Sequence, residues 1–289
     1  MRFTLNVTML DPAQYVPLAQ AAEEAGFYAV SVPDSIFYPE EAIGEYPYHK
    51  GREFLDDKPF IEPLIAIASM AASTSTLHFS TFVIKLAIRD ALITAKSVLS
   101  TAVMSNNRLT LGVGISPWLD DFRYCNVPFE GRGKRLDEMI EVLRGVQGGE
   151  YFEYHGEHFD FSRLKMCPVP SEPVKITVGG HSPAALRRAA RLGDGWVAAN
   201  LTREQMRGLL GMLNGYRQEY GSDKNSDFIV QGMLTDIDVF APGGYREGED
   251  MGLTDITLSP WGVYDTEQLP LQERLDRIKK FADEVIAKF

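Results

Sequence analysis

KITVGGHSPAALRRAARLGDGW, residues Lys175 to Trp196, reads as an apolar strand, a Gly179-Gly180 pair, a Ser182-Pro183 helix start, an alanine-rich helix, and Gly193 ahead of a new strand. Paired glycines at a strand's end let the backbone come close to a ligand. The helix behind them aims unpaired N–H groups and the positive end of its dipole at the same spot. An anion suits that place, most often the phosphate of a cofactor or substrate. The same residues also satisfy a plain tight turn, with Ser182 as N-cap and Pro183 at the first helical position. The segment by itself leaves both readings open.

The strand–helix–strand unit recurs along the chain. Phe3 to Thr8 reads as a first strand, and Asp11-Pro12 caps a helix whose apolar face is Tyr15, Leu18, Ala19 and Ala22. Gly26 ends that helix before a strand from Phe27 to Val32, and the ending recurs at Leu192-Gly193 and Met251-Gly252, each read as a glycine C-cap. The latter two precede strands at Trp196-Val197-Ala198 and Ile256-Thr257-Leu258. Further strands read at Leu77–Ile84, Arg108–Ile115, Val174–Val178 and Phe228–Leu234. Helices read near Pro63–Ala72, Ala91–Met104, Arg132–Val146 and Arg203–Tyr220, and a last one after Pro270 carries Leu271, Leu275, Ile278, Ala282 and Val285 on one face.

Eight strand candidates, mostly followed by helices, predict a parallel sheet and an α/β fold. Eight such units in 289 residues fit a (β/α)8 TIM barrel better than an open dinucleotide-binding sheet, and no GxGxxG follows the first strand. Two segments break the rhythm. Pro33 to Pro59 is a long loop after the second strand, and Gly148 to Pro173 is a hairpin-like insertion before the fifth, both rich in aromatics. Loops of that length point to covers over a site or to oligomer contacts. No Gly/Ser linker divides the chain, so residues 1–289 read as one domain.

Composition narrows the partners. A net charge of −11 disfavours nucleic acid and anionic membrane surfaces, which call for a cationic face. An anionic ligand must therefore be held by local dipoles and a few placed cations. With only Cys125 and Cys167, no CxxC and no His-rich cluster, neither a disulfide framework nor a metal site is expected. No apolar signal or membrane-spanning run is present, so the expected location is cytoplasmic.

A barrel gathers its functional groups where the strands end. Those ends are Asp34, Phe82 to Lys85, Ser116-Pro117-Trp118, Gly179-Gly180-His181, Asn200 and Ser259-Pro260-Trp261. The set is aromatic, glycine-rich and weakly polar, with no tight carboxylate pair, HExxH, GxSxG or Walker loop. It suits a flat aromatic ligand with an anionic tail. Candidates for acid–base or substrate contact are Lys85, Asp120 and His181. Lys85 falls in an apolar strand, where burial lowers a lysine's pKa; it can equally snorkel or pair with a carboxylate. Asp120-Asp121 is expected to face solvent or to cap a short helix, and Arg187, Arg188 and Arg191 to form a solvated helix face.

Arg108-Leu109-Thr110-Leu111-Gly112-Val113-Gly114, the Arg132-Gly133…Asp137-Glu138 helix and VGGHSPAALRRAARLGDGW together resemble the bacterial luciferase-like monooxygenase superfamily. The nearest branch in pattern is that of oxidoreductases dependent on the deazaflavin coenzyme F420. The resemblance is close from Phe3 to Ala199 and loose over the last third. It implies a luciferase-like barrel with the deazaflavin ring at the mouth, or FMN in the flavin-dependent members. It further implies a non-proline cis peptide or bulge at Phe82–Val83, pressing on one face of the ring. The phosphate site maps onto Gly179, Gly180, His181 and Ser182. A site at the end of the fourth strand maps onto Gly114, Ser116, Pro117 and Trp118, with Trp118 open to a core or oligomer role. Asp34 matches an acidic position that contacts the coenzyme. Two positions depart from the pattern: Ser35 stands where many relatives carry His, and Pro117 stands near a glutamate of sugar-phosphate dehydrogenating relatives, which puts a sugar-phosphate substrate in doubt.

The expected activity is hydride transfer between coenzyme F420 and a small-molecule substrate. The alternatives are a reduced-FMN monooxygenase using O2, a Schiff-base enzyme with Lys85 as nucleophile, and a non-catalytic coenzyme-binding paralogue. Barrels of this family commonly pair, so a homodimer is expected.

Overall fold

The computed structural model describes residues 1–43, 55–262 and 269–289; of the loop expected from Pro33 to Pro59, residues 44–54 fall outside that set. The chain begins with β1 (Arg2–Asn6), α1 (Tyr15–Glu24), β2 (Ala29–Val32), α2 (Pro63–Ala71), β3 (His78–Thr81), β4 (Ile84–Lys85) and α3 (Ala91–Met104). It continues through β5 (Leu109–Gly114), α4 (Leu119–Tyr124), α5 (Arg132–Val146), a hairpin of β6 (Phe152–His155) and β7 (Asp160–Leu164), β8 (Lys175–Gly179) and α6 (Pro183–Leu192). It ends with β9 (Gly195–Leu201), α7 (Arg203–Glu219), β10 (Ile229–Leu234), α8 (Pro242–Asp250), β11 (Asp255–Leu258) and α9 (Leu271–Glu284). The fold is a (β/α)8 barrel, as expected.

The main sheet runs β3-β2-β1-β11-β10-β9-β8-β5-β4, all parallel, and the β3–β5 pairing closes it. The third strand anticipated from Leu77 to Ile84 is split: β3 stops at Thr81, the Phe82–Val83 peptide is cis, and β4 resumes against Val113 and Gly114 of β5. Register places Thr4 beside Thr257 and Asn6 beside Ser31, and Ser31 beside Ser80. Side chains alternate across a strand, so one face of the sheet is small and polar. The other face carries Leu5, Val30, Phe79, Leu111, Ile176, Trp196 and Ile256 into a continuous apolar cluster with the helices. The apolar core therefore lies between sheet and helices.

Local chemistry sets the element ends. Asp90 caps α3 through the Ile93 N–H, Ser182 caps α6, and Thr202 with Gln205 forms a capping box on α7. Gly26 and Gly252 take the left-handed conformation expected of glycine stops, at φ 82° and 105°. Gly193 does not, its φ being −89°. It is glycine because a Cβ there would lie 2.8 Å from the Gly195 carbonyl oxygen and 2.9 Å from that of Ala189. On α1 the buried residues are the anticipated Tyr15, Leu18, Ala19 and Ala22. Of the face anticipated on the last helix, Ile278 and Val285 are buried and Leu271 and Leu275 pack against the core; Arg274 and Phe281 join them, with the Arg274 guanidinium 5.0 Å from the Trp261 ring.

The β6–β7 hairpin packs on α5: the Phe152 ring fills the space over Gly145, Tyr154 donates to Glu141 at 2.6 Å, and buried Glu138 accepts the N–H groups of Glu157, His158 and Phe159 at 2.8–3.2 Å. A cluster of aromatics in a long insertion looks the same in sequence whether it lies over a site or against a helix.

Barrel closure makes a testable demand. A Cβ on Gly112 would sit 2.1 Å from the Thr81 carbonyl oxygen, where β3 meets β5. Gly112→Ala is expected to destabilise the protein by about 1–3 kcal/mol, as overpacking does. Gly208→Ala on α7, where a Cβ meets nothing within 4 Å, is expected to stabilise it by about 0.5–1 kcal/mol. Urea unfolding of both variants checks the pair of signs.

Acid sensitivity offers a second check. Partial burial pushes the Glu23 carboxyl up, but the N–H groups of Thr76, Leu77 and Ser75 and the Thr76 hydroxyl outweigh that and bring it from 4.5 down to about 2. A carboxylate depressed in the folded state stabilises above its unfolded pKa and loses that contribution as pH falls through the folded value. Glu23→Gln is expected to lower stability at pH 7, with the gap from wild type shrinking between pH 5 and pH 2. Thermal unfolding across that range measures it.

Candidate active site

Because all eight barrel strands are parallel, their C-terminal ends share one mouth, and the ends of β3/β4, β5 and β8 meet there around one side chain. A Cβ on Gly114 would lie 2.8 Å from Val83 Cγ2, and one on Gly179 3.1 Å from Val83 Cγ1. These glycines are a bed for the Val83 methyls, which follow the cis peptide at Phe82–Val83. The first glycine of the Gly179-Gly180 pair thus serves packing between strands. Gly180 has a different reason: its φ is 120°, and a Cβ there would lie 2.8 Å from that of Ala185.

Behind it the helix start is built as both sequence readings require. Ser182 Oγ accepts the Ala185 N–H at 3.2 Å, Pro183 occupies the first turn, and the Trp196 indole donates to the Gly180 carbonyl at 2.8 Å. The tight-turn reading holds in full. The N-terminus of the ten-residue α6 also lies beside the Val83 bed, with the first-turn N–H of Ala184 beyond the reach of any intrahelical carbonyl. His181 is half-buried there, and burial pushes its imidazole below the ordinary value, which keeps it neutral at pH 7.

A second group lies at the end of β4 and the turn after β5. Lys85 Nζ is 2.7 Å from Asp121 Oδ2, and 5.2 Å from the centre of the Trp118 ring. Ser116, held at φ 58°, donates its hydroxyl to the same Asp121 Oδ2 at 2.5 Å and accepts the Trp118 N–H at 3.1 Å. Trp118 itself is buried. Lys85 is engaged as a cation, whereas a Schiff-base nucleophile needs a free amine.

The carboxylates depart from the sequence expectation. Asp120 and Asp121 are both buried, at 1% and 0% exposure, and neither faces solvent. Asp120 accepts the Ile43 N–H, tying down the loop after β2, while Asp121 compensates Lys85. Adjacent acidic residues at a helix start usually face water, and only the approach of strand-end partners takes these two inside. Asp34 lies under the mouth with a 2% exposed side chain; its oxygens take Arg89 at 2.9 and 3.0 Å and the Lys85 backbone N–H at 2.8 Å.

Of the arginines expected to form a solvated face on α6, Arg187 and Arg191 are exposed and Arg188 is half-buried, and all three are engaged with neighbouring helices. Arg188 is ion-paired with Asp137 and donates to the Gly133 carbonyl, Arg191 reaches Asp137 at 2.6 Å, and the Arg187 guanidinium stacks 4.5 Å from the Tyr216 ring. They fasten α6 to α5 and α7. Sequence reading missed Asp121, Arg89 and the role of Trp196, since a residue's partners across strands leave no local spacing signal.

The mouth therefore offers a flat apolar floor of Val83 over two glycines, an indole beside a fixed cation, and a helix N-terminus for an anion. That donor set fits a planar ring with a phosphate tail. Among the described residues, no group of three or more His, Cys, Asp or Glu side chains could hold a metal ion.

Comparison with known proteins agrees with this geometry. The family model for luciferase-like monooxygenases matches residues 4–235. An uncharacterised protein of Mycobacterium tuberculosis is 44% identical, with both chains covered in full. The F420-dependent glucose-6-phosphate dehydrogenase of Gordonia bronchialis is 28% identical over 68% of this chain and 56% of its own. Among solved structures, the monooxygenase RslO1 of Streptomyces bottropensis shares the fold, with a TM-score of 0.77 at 18% identity, over 100% of this chain and 99% of its own. With most of its length matched by one family model on a closed parallel barrel, the chain belongs to the luciferase-like monooxygenase family.

Proposed function

We propose that the protein, acting as one barrel domain over residues 1–289, is an oxidoreductase that moves a hydride between coenzyme F420 and a small organic substrate. The observation that carries this reading is the convergence of the α6 N-terminus and the Val83 bed at one mouth. An anion site alone fits any phosphate; next to a flat glycine-backed floor it fits a phosphate attached to a planar ring. The 28% identical relative named as F420-dependent supports the deazaflavin.

When bound, the deazaflavin supplies a ring carbon that accepts or gives a hydride, and the protein orients it. Gly179, Gly180, His181 and Ser182 would hold the phosphate through backbone N–H groups, the helix dipole and the neutral imidazole. Val83, with Phe82, would press on one face of the ring from above Gly114. Trp118 would wall the ring's edge. Ser116 and Asp34 would act indirectly, because their polar atoms already fix Asp121, Arg89 and the Lys85 backbone. Asp120 would hold the loop after β2 at Ile43.

Exposed Ile65 on α2 and Ile93 and Met104 on α3, at 66–70% exposure, support a homodimer through these neighbouring helices. No described helix is long and apolar enough to cross a membrane; a cytoplasmic enzyme without nucleic acid or membrane partners remains part of the proposal.

A second reading is a reduced-FMN monooxygenase, favoured by the RslO1 likeness in fold and by the same floor, which suits an isoalloxazine equally. Fluorescence titrations with coenzyme F420 and with FMN separate the two. The first reading requires deazaflavin binding; FMN binding with none for the deazaflavin selects the second. His181→Ala is expected to weaken coenzyme binding about two- to tenfold, the worth of one neutral hydrogen bond, with the unfolding temperature nearly unchanged.

A further inference from the structure

Hydride transfer to a carbonyl leaves charge on oxygen, and some group at the mouth must meet it. Among the described residues at the strand ends, the candidate cations are Lys85, Arg89 and Arg203. Arg89 is held by both Asp34 and Glu62, and Arg203 by both Asp236 and Glu247. Lys85 differs. Among the described residues its single carboxylate partner is Asp121, its side chain keeps 15% exposure, and its backbone is fixed by Asp34.

Asp121 is itself unusual. It is fully buried, its Oδ2 serves both Lys85 and Ser116, and its Oδ1 meets no donor among the described residues. A buried carboxylate compensated by one lysine holds that lysine in place, since separating them leaves an unpaired charge in the interior. The Trp118 ring limits the ammonium on another side. The ammonium is thus held beside a buried carboxylate while its side chain stays partly exposed.

Resting on the F420 reading, we propose that Lys85 is the proton donor to a carbonyl substrate, and that Asp121 is the positioning residue that aims it. The hydride and its two electrons come from the reduced deazaflavin, which is thereby oxidised. The new C–H bond forms on the carbonyl carbon as the C=O π bond breaks toward oxygen. That oxygen takes a proton from Lys85 Nζ, and the resulting amine regains one from water; the alcohol-to-carbonyl direction reverses each movement. The substrate class is accordingly a carbonyl or alcohol whose oxygen reaches Lys85.

The test uses the full chain with reduced coenzyme F420 and a carbonyl panel of acetone, cyclohexanone and benzaldehyde. Lys85→Ala is expected to lower the single-turnover rate about a hundredfold or more, within the range for a lost general acid, with coenzyme affinity unchanged. Added methylamine is expected to restore part of that rate. Asp121→Asn should lower kcat with little change in KM, and should shift the Lys85 signal in NMR spectra of protein reductively methylated with 13C-formaldehyde. Because Lys85→Ala strands a buried charge, the double variant Lys85→Met/Asp121→Asn controls for folding by circular dichroism and coenzyme affinity, and it should be as slow as Lys85→Ala. Equal turnover in wild type and in the double variant overturns this proposal alone, as does a Lys85 NMR signal indifferent to Asp121→Asn. Failure of the wild type to bind the deazaflavin, or to oxidise it with any carbonyl, overturns the F420 reading together with it.

Discussion

Closure of the barrel rests on a contact with no room for a side chain, where the Thr81 carbonyl of β3 meets Gly112 of β5. The Thr81 hydroxyl reinforces it by donating to the Gly112 carbonyl at 2.6 Å. This seam fixes where β3 ends and how β4 resumes, and so where Val83 points. Val83 in turn requires Gly114 and Gly179 to be bare. One packing constraint thus runs from barrel closure into the floor of the site.

Charge is handled as tightly as volume. In a chain of net charge −11, the cations at the mouth among the described residues are all paired, Lys85 and Arg89 with buried carboxylates and Arg203 with more exposed ones. Asp34 and Asp121 fix the backbone and the side chain of the same residue, Lys85, from the loop after β2 and from α4. The anion site proposed at α6 would therefore depend on backbone dipole and N–H groups, which add no net charge and need no buried counterion.

Much of this was legible beforehand. Helix and strand order, the caps at Asp11 and Ser182 and the cis Phe82–Val83 peptide follow from local spacing or from the family resemblance. The glycines illustrate the limit. Gly26 and Gly252 stop helices through positive φ, a local property, whereas Gly193 looks identical in sequence and is glycine only because two carbonyls crowd it. The Asp120-Asp121 pair shows the same limit for charge: burial is decided by what packs over a residue.

The sequence by itself determined the parallel (β/α)8 architecture and the strand ends that supply the site, because periodicity and turn chemistry act over a few residues. Only the tertiary structure decided the reason for Gly179-Gly180. The segment from Lys175 to Trp196 offered an anion site or a tight turn: Ser182 and Pro183 make the turn, Gly179 makes room for Val83, and the N-terminus of α6 still lies at the mouth, where the proposed phosphate would sit. That outcome depends on strands β4 and β5, some 65 to 95 residues away in the chain, and distance in sequence is what local patterns cannot encode.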